Sequence, residues 1–179
     1  MGTTFVLVTA LLGFRALGAL GVKRFASWPA AGAHALAVML VMTASAHFVP
    51  ASVTFMPNHA DLTRMVPPFV PFPGLAVYVT GVLELLGAAG LVLTRRRRIA
   101  ALCLAVLFVL LLPANIYAAL ADVPYHGGEP TPLWFRVPAQ ILYIAVALWA
   151  ARSAAPAART ATPEGTAAGR TDVTPTARL

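Results

Sequence analysis

Five side chains in this sequence have the types and the placement to do chemistry within apolar surroundings: His47, Glu84, Asn115, Arg136 and Gln140. Glu84 is the sharpest of them. It sits near the middle of VYVTGVLELLGAAGLVLTRRRR (Val77–Arg98), a stretch with no other acid. A carboxyl at that depth in a membrane needs a partner, a cavity or a proton, and its usual justification is functional. Thr80, Gly81, Glu84, Gly87 and Ala88 share one helical face by their i, i+3, i+4 spacing. Small residues let helices approach closely in lipid, so this face points into a bundle and takes Glu84 with it.

Counting about 1.5 Å per residue from the outer helix ends puts Asn115 and Gln140 roughly 8–9 Å deep, Glu84 roughly 15 Å deep and His47 near the rim. The expectation is an outward-opening polar pocket. His47 and Arg136 stand at its mouth, Asn115 and Gln140 on its walls, and Glu84 at its floor. All five are candidate ligand-binding residues, and Glu84 is the candidate catalytic residue, as a proton donor or acceptor. The bland alternative is that Asn115 and Gln140 only hydrogen-bond neighbouring helices. For these two amides we weigh that alternative above ligand contact, and for Glu84 we reverse the order. His34, His59 and His126 carry less weight.

The elements that must position these groups are membrane spans. The apolar residues come in long runs rather than alternating with polar ones. Of 179 residues 59% are hydrophobic and 11% charged, about half the charged share of a soluble domain. Five runs are long enough to cross a bilayer: about 3–22, 30–49, 74–94, 99–121 and 133–151. The first is a retained helix rather than a signal peptide, because no charged side chain precedes it and Lys23 and Arg24 follow it. Arg15, inside that run, lies close enough to its inner end to snorkel toward headgroups, which we prefer to a salt bridge with Glu84. The segment 51–73 is not a span. It holds MVPPFVPFP (Met65–Pro73), which cannot form a regular helix, and it caps the bundle from outside. Pro113 predicts a kink in the fourth span that frees the Val109 carbonyl.

Lys23, Arg24, Arg95–Arg98, Arg152 and Arg159 fall on one side of these spans, and Asp61, Asp122 and Glu129 on the other. Short cationic loops stay in the cytoplasm, so five spans run N-out and C-in. The same rule accounts for the net charge of +7 without nucleic acid as a partner. The expected fold class is therefore all-α, a polytopic membrane helix bundle. Its parts are an extra N-terminal transmembrane helix (1–24), a four-helix membrane domain (25–152) and a disordered cytoplasmic tail (153–179), rich in Ala, Thr, Pro and Gly. A single cysteine, Cys103, excludes an intrachain disulfide or thiol relay and reads as a small core or lipid-facing residue. No HExxH, paired-carboxylate, GxGxxG, P-loop or GxSxG pattern occurs, so no metal site is assigned.

The runs HFVP (His47–Pro50), MVPPFVPFP, GVLELLGAAGLVL (Gly81–Leu93), RRRRIAA, PANIYAAL (Pro113–Leu120) and LWFRVPAQ (Leu133–Gln140) resemble, in order and spacing, the DoxX family of small bacterial membrane proteins. The likeness covers roughly residues 31–151. It implies a four-helix membrane core, here spans two to five, in the bacterial inner membrane. It carries over the same five positions, His47, Glu84, Asn115, Arg136 and Gln140. Relatives in that family include a subunit of a thiosulfate:quinone oxidoreductase and partners of oxidative-stress enzymes. The resemblance thus implies an accessory or ligand-binding membrane subunit, with a quinone or another small amphipathic molecule as ligand. Besides the lipid bilayer, its implied partners are a membrane-associated oxidoreductase or a second copy of the chain. The alternatives are an enzyme using Glu84 for proton transfer on a small apolar ligand and, ranked last, a small transporter, which normally shows internal symmetry or more spans.

Overall fold

The computed structural model describes residues 2–124, 126, 128–129 and 131–153. The expectation of a disordered tail falls almost wholly outside these residues. Six α-helices follow in order: α1 (Gly2–Ala19), α2 (Trp28–Ser45), α3 (His59–Arg64), α4 (Pro73–Val92), α5 (Arg97–Leu120) and α6 (Leu133–Ala150). Five of them, all but α3, are long and apolar enough to cross a membrane. A single 3₁₀ turn, Lys23–Phe25, joins α1 to α2, and another, Ala151–Ser153, follows α6.

The helix ends obey local chemistry. The Ser27 hydroxyl accepts from the Ala30 amide at 3.3 Å, and Pro29 occupies the first turn of α2, where its missing N–H costs nothing. Sequence counting carried this span to Val49, but α2 ends at Ser45. Beyond it the amides of Ala46, His47 and Phe48 each bond the carbonyl three residues back, so the chain tightens before Pro50 instead of continuing as an α-helix. Asn58 and Asp61 form a reciprocal capping box on α3. His59 then pins this short helix to α4: its Nε2 donates to the Gly74 carbonyl at 3.0 Å, and its ring stacks on Tyr78 with centroids 4.1 Å apart.

Helices α2, α4, α5 and α6 close into a ring, each packed against the next and α6 against α2. This is the topology of an up-down helix bundle, with a short turn between α4 and α5 and a long connection, carrying α3, between α2 and α4. Helix α1 lies outside the ring along α2, burying only Leu7 and exposing Phe5, Leu12 and Leu17. Alternation brings Lys23, Arg24, Arg95–Arg98 and Arg152 to one end of the ring, and α3, Asp122 and Glu129 to the other.

The two halves of the ring are packed differently. The core of Leu36, Met39, Leu40, Leu91, Leu104 and Ala147, all within 2% of full burial, lies toward the basic end. Close helix approach makes it solid. A Cβ on Gly87 would stand 2.4 Å from Leu104 Cδ2, so the glycine makes room for the Leu104 side chain between α4 and α5. Toward the acidic end the same four helices surround a cavity of about 890 Å³.

Arginine also behaves differently from expectation at the basic end. Arg97 is 2% exposed: its Nε donates to the Leu91 carbonyl at 2.7 Å and its Nη1 to Ser153 Oγ at 3.1 Å. It is thus a clamp joining α4, α5 and the turn after α6, not a solvated charge. Arg24 makes a second clamp, from Nε to His34 Nε2 (2.9 Å) and from Nη2 to the Val92 carbonyl (3.1 Å). Because a guanidinium only donates, His34 accepts at Nε2 and carries its proton on Nδ1, which faces the Ala30 carbonyl at 2.7 Å. Arg15 reaches the inner connection rather than Glu84. It donates to the carbonyls of Phe25 and Ala26 at 2.9 Å each and lies 4.9 Å over the Trp28 ring, so it is held by protein and not by headgroups alone.

Candidate functional site

The cavity is walled by the second half of α2, the first half of α4, the second half of α5 and the first half of α6, with Gly2, Thr3 and Val6 of α1 at one side. Its cover is the segment between α2 and α4, through Met56, Leu62, Met65, Val66, Phe69 and Val70. The proline-rich run therefore does more than lie on the bundle. It supplies apolar side chains to the cavity lining.

All five side chains singled out from the sequence line this one cavity. They form two groups. In the first, the Thr43 hydroxyl donates to Glu84 Oε2 at 3.1 Å and His47 Nε2 stands 3.8 Å from the same oxygen. The depth count had separated His47 from Glu84 as rim and floor. The two nearly touch because helical side chains project toward their own N-terminus, which for α4 is the acidic end, the end His47 occupies. His47 is held from its other side: its Nδ1 lies 2.7 Å from the Val77 carbonyl. A carbonyl only accepts, so Nδ1 carries the proton and Nε2 is left as an acceptor. Gly81 makes room for the ring, since a Cβ there would come within 2.6 Å of His47 Cβ.

The second group belongs to α5 and α6. Arg136 Nη1 donates to Asn115 Oδ1 at 3.3 Å, and Arg136 Nε to the Thr131 carbonyl at 2.9 Å. Asn115 Nδ2 donates back to the Leu111 carbonyl at 3.1 Å. Gln140 donates from Nε2 to the Phe108 carbonyl at 2.9 Å. The helix runs through Pro113 without a break, and the carbonyl that an outside donor reaches is that of Phe108, one residue before Val109. The amides thus both bind backbone, as the bland reading holds, and face the cavity.

Two further polar contacts at this site escaped sequence reasoning. Thr43 lies four residues before His47, a same-face spacing that could have revealed it. The Tyr143 hydroxyl, three residues after Gln140, pairs with Thr3 Oγ1 at 3.0 Å and Thr4 Oγ1 at 2.8 Å. That contact ties the outer helix α1 to the ring beside the cavity, and no local pattern announces it.

The described residues form a ring of helices long and apolar enough to cross a membrane, solid at one end and hollow at the other, where a few polar groups face a mostly apolar cavity. The chain belongs to the family described as a domain of unknown function (DUF8561), which matches residues 36–152, from within α2 to the turn after α6. No curated protein matches the chain. No solved structure matches it either.

Proposed function

We propose that this protein is a ligand-binding or accessory subunit of the bacterial inner membrane, holding a small amphipathic molecule in the hollow half of its ring. One observation carries the reading: the cavity is large enough for a drug-sized or lipid-like ligand, and its few polar groups converge on mostly apolar walls. A cavity of this size in a membrane bundle costs packing energy, so an occupant accounts for it. The resemblance to the DoxX family supports a quinone-linked redox or oxidative-stress setting, with a membrane-associated oxidoreductase as partner. The N-out and C-in orientation is part of the same proposal and rests on the segregation of Lys23, Arg24, Arg95, Arg96, Arg98 and Arg152 to one end.

A second reading has its own support. The Glu84 carboxyl and the His47 imidazole lie 3.8 Å apart on the cavity wall, an acid and a base that could pass a proton to a bound apolar ligand. On this reading the protein is an enzyme and Asn115 and Gln140 orient its substrate.

The two share a prior requirement, that the cavity be occupied. Ala114 lines it, and Ala114→Trp would fill part of it with an apolar ring. Protein purified from native membranes should yield a stoichiometric small molecule on solvent extraction. The Ala114→Trp variant, equally folded by circular dichroism, should yield at least tenfold less. Equal yields, or bulk phospholipid alone from both, would remove the reading.

A further inference from the structure

Three polar atoms at the cavity wall are acceptors with capacity to spare. His47 Nε2 is a bare acceptor, because Nδ1 donates to Val77. Gln140 Oε1 is another, because the amide nitrogen must face the Phe108 carbonyl. Glu84 accepts from Thr43 through Oε2 alone. Among the described residues no side-chain hydrogen bond is made to His47 Nε2, Gln140 Oε1 or Glu84 Oε1. Yet Glu84 is 6%, Gln140 7% and His47 8% exposed. Nor are these atoms sealed away: among the described residues the one fully enclosed side-chain polar atom without a partner is Arg15 Nε. Three acceptors, each on a buried residue, therefore open onto one mostly apolar cavity. Leaving buried acceptors unmet is costly, so their complement belongs to whatever fills the space.

From this we infer that the cavity takes an amphipath whose head is a hydroxyl that donates a hydrogen bond to His47 Nε2, beside Glu84. This rests on the reading of the cavity as a ligand site and names the class of ligand. A hydroxyl has one proton, which His47 Nε2 takes, while Glu84 Oε2, 3.8 Å from that nitrogen, keeps its bond from Thr43. The hydroxyl donates to His47 Nε2, His47 Nδ1–H donates to Val77, and the bonds reinforce one another along that chain. A head that only accepts, such as an ether or ester oxygen, would leave His47 Nε2 unmet. An ammonium would also donate, but Arg136 lines the same cavity, and a neutral donor adds no second cation to it.

The test uses full-length protein in lipid nanodiscs, with para-decylphenol, its methyl ether and decylamine as probes, and reads bound probe by native mass spectrometry. His47→Asn is the diagnostic variant, because its amide nitrogen can still donate to Val77 while the Nε2 acceptor is gone. Taking wild type relative to variant cancels each probe's own partition into lipid. The phenol should bind wild type roughly three- to tenfold better than it binds the variant, with the ether unchanged between them. A wild-type preference for the amine over the phenol would overturn the assignment of a neutral head. Ether bound as well as phenol in wild type, with both probes indifferent to His47→Asn, would overturn the donor requirement while leaving the cavity a ligand site. No saturable binding of any probe would overturn both. The comparison of phenol with ether in wild type stands even if the variant does not fold.

Discussion

At the residue scale, few atoms fix the site. His47 is set by one carbonyl on one side and one glycine beneath it: Val77 fixes its tautomer, and Gly81 admits its ring. Adding a methyl at Gly81 forces His47 Cβ aside, because the 2.6 Å contact is with a side-chain root that cannot swing away. Gly81→Ala should therefore cost about 1–3 kcal/mol of stability and lower ligand occupancy. Gly13→Ala, inside α1 with nothing within 4 Å, should lower neither; thermal unfolding in detergent separates the two. Arg97 offers a second case. Its neighbours Arg96 and Arg98 look identical in the sequence, but it is the arginine that bonds Leu91 and Ser153. Arg97→Ala should destabilise the protein by about 1.5–3 kcal/mol, the range for hydrogen bonds from a charged group. Arg98→Ala should shift the unfolding midpoint hardly at all. Equal effects of the two substitutions would show that the clamp is not a structural bond.

At the scale of elements, apolar runs and their basic or proline-marked ends were legible, because they arise from bilayer thickness and backbone chemistry, which act on contiguous residues. The five long helices fall within a few residues of the runs read from sequence, and of the α4 face read from spacing Gly81, Glu84, Gly87 and Ala88 are buried and Thr80 half-buried. What escaped were contacts between elements. Nothing near Tyr143 in sequence signals a bond to Thr3 or Thr4, and nothing in RRRR marks Arg97 as buried. Depth counting misjudged His47 against Glu84 because it located backbone positions and ignored side-chain direction. Helix α1 provides the prediction at this scale. It packs outside the ring and reaches the cavity only through its first turns. Tyr143→Phe removes its hydroxyl tie and should leave the fold intact while raising hydrogen exchange in residues 2–7. Unchanged exchange there would mean that the apolar contact with α2 holds α1 unaided.

At the scale of the whole molecule, charge and packing share one polarity: a solid, arginine-clamped half and a hollow half with the acids. The orientation proposed for it is accessible to single-cysteine labelling after Cys103→Ala. Ala51→Cys should react with an impermeant maleimide from outside intact cells, and Ser153→Cys only after permeabilisation; the reverse pattern would invert the topology. The central claim, however, is that Glu84 sits on the wall of an occupied site. Native mass spectrometry of the protein from its own membranes, wild type beside Glu84→Gln, tests that most directly. The account predicts a single small molecule on the wild type that the folded variant has lost or holds at least tenfold less. Two empty proteins, or two carrying the same phospholipids, would contradict it.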